Sequence, residues 1–107
     1  MADGNKIISK RIVGGLLGHW AVWTKKAVEL LDEIHTSIAQ NKDIRHLLAK
    51  GVHVTDSNAA FFDSANNFAG CITGIHEVLH RQGLFEGIWT LNEKDILSPG
   101  QKEEIDR

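Results

Sequence analysis

The sequence predicts an all-α protein: a small bundle of four to five helices forming a single domain over residues 1–107. Three observations predict it. Apolar residues recur at steps of three and four over long stretches, which is the period of a helix. Cap residues and glycine stops bracket those stretches. No alternating apolar and polar run of strand length is present. A content of 42% hydrophobic and 24% charged residues fits a folded globular chain rather than a disordered one.

The first helix is expected over residues 18–40. Leu16, Trp20, Trp23, Ala27, Leu30, Leu31, Ile34 and Ile38 fall on one stripe of it. Trp20 and Trp23 are expected to anchor the core or a helix–helix interface, together with Phe61, Phe62 and Trp89. Asn41 can cap a short second helix over 42–50, and Gly51 can end it. Val52-His53-Val54 is too short for a sheet strand. Thr55, Asp56 and Ser57 offer cap oxygens for a third helix carrying Ala59, Ala60, Phe61, Phe62 and Ala65. Asn66-Asn67 breaks or bends that helix.

A fourth helix follows, from Phe68 or Gly70 to Gln82, with a buried stripe of Phe68, Ile72, Ile75 and Leu79 and a stop at Gly83. Residues 84–91 have loop character with apolar anchors at Phe85, Ile88 and Trp89. Ser98-Pro99-x-Gln101 then supplies a cap, a proline for the first helical position and a capping-box glutamine. That closing helix spans barely two turns, so it requires tertiary support. The chain therefore reads as a domain completed by a partner, or as a fragment or truncated relative of a larger barrel protein.

Charge and composition exclude several function classes. A net charge of −2 argues against nucleic acid or an anionic membrane as the main partner. The apolar run near the start is interrupted by Gly14, Gly15, Gly18 and His19. It is also shorter than the roughly 20 residues a bilayer span needs. A single cysteine, Cys71, excludes an internal disulfide and fits a reducing, cytoplasmic setting. Gly14-Gly15-x-x-Gly18 lacks the lysine and hydroxyl residue of a phosphate loop, and no strand precedes it. A small DNA-binding or regulatory module would rest only on short helices joined by turns.

The stretch GIHEVLHRQGLFEG spells His76-Glu77-x-x-His80, the pattern of zinc proteases. Residues four apart share a helix face, so His76 and His80 could hold zinc, with Glu86 as third ligand and Glu77 as the base acting on bound water. A small zinc-dependent hydrolase is thus the alternative function. Against it, the expected buried stripe leaves both histidines flanking the core, and no strand is available to hold a peptide substrate. The favoured assignment has no catalytic residue, no metal and no other cofactor. Asp56 and Asp63 lie seven apart on one face, a pairing that can do acid–base work, but capping and solvation explain both better.

From Val54 onward the chain resembles the C-terminal end of the dihydrodipicolinate synthase / N-acetylneuraminate lyase family. The likeness is carried by a late helix ending in Leu79-His80-Arg81-Gln82-Gly83-Leu84, an extended segment over 87–91, and the capped closing helix from Leu97-Ser98-Pro99-Gly100-Gln101. The earlier Ala27-Val28-Glu29-Leu30-Leu31-Asp32-Glu33-Ile34-His35 is similar to the family's late barrel-side helices. The resemblance implies helices appended to a (β/α)8 barrel whose members are carbon–carbon lyases working through a Schiff-base lysine. No strand here ends in such a lysine, and the chain has no tyrosine for the family's proton relay. The resemblance therefore implies kinship of a non-catalytic helical region acting in packing and oligomerisation, expected as a homo-oligomer, with no substrate identified.

Overall fold

A computed structural model describes residues 2–107. It is all-α apart from a hairpin of two two-residue strands, β1 (Ala2–Asp3) and β2 (Lys6–Ile7), with Ala2 opposite Ile7. A 3₁₀ turn over Gly18–Ala21 leads into α1 (Thr24–Ala39). Then follow α2 (Arg45–Phe62), α3 (Cys71–Arg81) and α4 (Gln101–Asp106).

The first helix begins six residues later than its periodicity predicts. Trp23 has φ −128° and ψ 51°, outside the helical region, so the chain turns there before α1 starts. The turn is held by the Trp23 amide donating to His19 O at 2.8 Å and the Thr24 hydroxyl donating to Trp20 O at 2.6 Å. At its far end Asn41 takes φ 49° and stops α1 instead of capping the next helix.

The expected second and third helices are one. Asp43 provides the start, accepting the Arg45 amide at 2.9 Å. The helix then runs through Gly51 and the Val52-His53-Val54 stretch without a break. A helix-interior glycine costs only about 1 kcal/mol, less than a continuous 18-residue helix gains from packing. It ends at Asp63, in the left-handed region at φ 59°. Asn67 and Phe68 are left-handed too, but the break begins at Asp63, before the expected Asn66-Asn67, and leaves Ala65 in a 3₁₀ turn outside the helix.

α3 and its stop follow expectation, since Gly83 sits at φ +74°. Leu84 donates to Leu79 O at 3.0 Å, the closing bond of a Schellman cap. Its buried face is rotated from the expected one. Phe68 and Ile72 are more than half exposed, whereas Thr73, Gly74, Glu77 and Val78 are buried. The reason is Gly74. A side chain there would meet Phe61 O at 1.9 Å, so α2 crosses α3 directly over this glycine. Close backbone approach, not the widest apolar stripe, sets the phase of the helix.

The core lies where α2, α3 and α4 meet the 3₁₀ turn. Val22, Phe61 and Val78 form it, with Trp23, Phe62, Ile75, Leu79 and Ile105 packed around. Trp23 meets Phe61 edge-on at 5.4 Å, and Phe62 lies 4.5 Å from Phe61. Trp20 is half-buried. Trp89 is not a core anchor: it is 75% exposed on the loop between α3 and α4. No helix among the described residues is long and apolar enough to cross a membrane.

The chain does not close on itself. Its radius of gyration is 17.3 Å, against about 13 Å for a compact domain of this length. It exposes 8303 Å², against about 5,900 Å² for a compact monomer of its mass. The extended, exposed segment preceding the 3₁₀ turn accounts for part of the excess. Apolar residues left open on the helices and the α3–α4 loop account for much of the rest.

Candidate functional site

Two polar clusters bracket the closing helix, and each contains residues that the sequence singles out. The first is built on the His76-Glu77-x-x-His80 turn of α3. Helical spacing places Glu77 one turn before Arg81, and the Arg81 Nε–H donates to Glu77 Oε1 at 2.8 Å. Arg81 Nη1 donates to Asp106 at 2.5 Å, tying α3 to α4. The Arg81 guanidinium is held above its ordinary pKa, first by the hydrogen bond to Glu77 and further by the Asp106 charge. Glu77 is buried and pairs with Arg81.

The histidines do not converge. His80 Nδ1 donates to Phe85 O at 2.9 Å, which holds the loop after α3 against the helix end. The His76 ring packs edge-on against Phe85 at 5.2 Å, and its Nδ1 is buried with no partner. His80 and Glu86 share an open groove with Glu77, Arg81, Lys102 and Asp106, while His76 lies outside it. Among the described residues no three histidine, cysteine, aspartate or glutamate side chains are placed to hold a metal ion. The chemistry of this cluster is electrostatic fastening of α4.

The second cluster centres on Asp63, 3% exposed at the end of α2. Its carboxylate accepts from Asn66 Nδ2 at 2.7 Å, from the Gly70 amide at 2.9 Å and from the Ser98 hydroxyl. Burial alone pushes this carboxyl up. The hydrogen bonds from Asn66, Ser98 and Gly70 outweigh it and hold the group below the usual carboxylate range. Gln101 completes the knot. Its Oε1 accepts the Ser98 amide at 3.0 Å, but the expected capping box does not form: α4 starts at Gln101 behind the left-handed Gly100, so Pro99 is not its first helical residue, and the Ser98 hydroxyl goes to Asp63. Its Nε2 donates to Gly70 O at 2.9 Å and reaches Phe61 O at 3.4 Å. The end of α2, the start of α3 and the start of α4 are thereby joined through one buried side chain.

The sequence pattern exposes only half of this knot. Gln101 is legible as a capping residue, but its reach into the α2–α3 junction depends on Gly70 and Gly74 leaving room for it. Asp56 and Asp63, paired on the sequence, do not act together. Asp56 is exposed and bridges to Arg107 at 3.0 Å, while the Asp63 oxygens are engaged inside. Burial and the Asp63 charge push the Cys71 thiol up, so it stays protonated at neutral pH.

A cavity of about 200 Å³ is floored by Trp23, Phe61, Val78 and Ile105 and rimmed by His53, Asp56, Glu104 and Arg107, and more open grooves of about 370 and 590 Å³ lie elsewhere on the surface. No family model matches the chain, and comparison with curated proteins and with solved structures likewise returns no match.

Proposed function

We propose that this chain is a non-catalytic helical domain that works by association, in the first place with copies of itself. The observation that supports the reading is the unclosed surface: a core of a few buried apolar side chains beneath 8303 Å² of exposed area. Large apolar side chains left exposed on α2, on α3 and on the α3–α4 loop, among them Leu48, Val52, Ile72 and Trp89, are the kind of surface that association covers. The polar clusters support it as well, because their side chains fasten α4 rather than face a substrate.

The kinship with helices appended to the lyase barrel belongs to the same reading. Such helices pack on a larger body, and the open faces of α2, α3 and the α3–α4 loop are where that packing would occur. Homo-oligomerisation in a cytoplasmic setting fits the lone, protonated Cys71. An environment-sensitive dye tests the reading. On dilution, dye bound per chain is expected to rise as associated copies separate and uncover apolar surface. Dye binding that stays constant across the dilution, with helical content intact, contradicts it.

A further inference from the structure

The outer face of α2 carries a feature that the isolated chain does not explain. Leu48 and Val52 are 71% and 67% exposed, on a helix whose opposite face holds Phe61 in the core. Leu48, Gly51, Val52 and Thr55 stand at i, i+3, i+4 and i+7, the four corners of the hollow into which a neighbouring helix packs a side chain. With Asp56 and Ala59 they line one shallow groove. Gly51 is the odd member. A side chain at this position would meet nothing within 4 Å, and its backbone is not left-handed. Neither turn geometry nor packing within the chain calls for glycine there, although alanine would favour the helix by about 1 kcal/mol. A glycine at one corner of an exposed apolar hollow lets another helix approach closely.

The charges say which helix. Arg45 and Asp56 project on the same flank of this face, eleven residues apart, within about 20° of each other around the axis. Their midpoint falls between Lys50 and Gly51, within about one helical rise of the centre of the hollow. A second α2 running antiparallel about that point brings Arg45 of each copy to Asp56 of the other. A parallel two-fold pairing would put the Arg45 and Asp56 flanks of the two copies on opposite sides of the seam, where they cannot pair. Arg45 and Asp56 are each already paired within the chain, with Asp43 and Arg107, but through exposed ion pairs that a pair across the interface can replace at small cost.

We infer that α2 is the interface of a two-fold dimer of this chain, crossing itself antiparallel at Gly51. The inference rests on the self-association reading above and names its surface.

The test is particle mass in solution for the full chain and for Val52→Lys, with helical content followed alongside. The wild type is expected at twice 11.9 kDa. The variant, altered only at an exposed position, is expected at the monomer mass, its association weakened roughly tenfold or more. Independently, Val52→Cys in a Cys71→Ser background should form a disulfide-linked dimer under mild oxidation. Only residues near the two-fold axis meet their own copies, so Gln40→Cys in the same background should not. A Val52→Lys protein that remains dimeric, or a Val52→Cys protein that does not cross-link, overturns the α2 interface while self-association through another face stands. A wild type that is monomeric throughout overturns both.

Discussion

Asp63 shows how one residue carries the join between three helices. Its carboxylate ends α2 in the left-handed region, caps the Gly70 amide and receives the Ser98 hydroxyl. Because those donors favour the charged form, its folded pKa lies below its unfolded one. Its stabilising contribution is therefore fully present above the unfolded value near about pH 4 and is lost as pH falls through the folded value. Asp63→Asn should cost about 1–3 kcal/mol at neutral pH. The gap between the two proteins in denaturant titrations should narrow below about pH 4. A gap that persists unchanged into acid would show that the charge is not what the donors recognise. Gly74 is the second such residue. Gly74→Ala drives a methyl group into Phe61 O and should destabilise by about 1–3 kcal/mol, read as a fall in Tm. Both residues are visible in the sequence, Asp63 as an acidic residue on a helix and Gly74 as a small residue at four-residue spacing. Neither role is visible there, because each is defined by an atom that the fold brings in from elsewhere along the chain.

At the scale of elements, periodicity and stop signals located the helices, and backbone detail set their ends. The Gly83 stop and a break near Asn66-Asn67 were legible because left-handed geometry admits few residue types. The fusion of 42–50 with the third helix was not. Gly51 reads as a terminator, and only the packing of Phe61 at the far end of α2 makes its helical conformation worthwhile. The phase of α3 was likewise misread, since apolar count favours Ile72 whereas the α2 crossing selects Gly74 and Val78. The His76-Glu77-x-x-His80 turn was legible as a motif, but its glutamate serves Arg81. Arg81→Met should leave Glu77 buried without its partner and release Asp106, costing about 1–3 kcal/mol. Amide exchange should then speed up in α4 more than in α2. Equal acceleration in both helices would mean that Arg81 does not fasten α4 in particular. His80→Ala should leave the metal content of tag-free protein unchanged, whereas loss of one zinc per chain would restore the hydrolase alternative.

At the scale of the whole molecule, the fold class follows from composition and periodicity, whereas the extent of the open surface does not. α4 has six residues and survives by its bonds to Asp63, Gly70 and Arg81. Beyond the 3₁₀ turn and Trp23, α1 is tied to α2 by the pairs of Glu33 with His46 and Lys50. Leu48, Val52, Phe68, Ile72, Leu84 and Trp89 stay exposed, and on the proposed reading they are the surfaces a second copy would cover. The most direct test of that account is the mass of untagged protein by light scattering over a wide dilution series. The account predicts at least twice 11.9 kDa at high concentration, falling on dilution as copies part. A particle of 11.9 kDa at every concentration, with its helices intact, would contradict it.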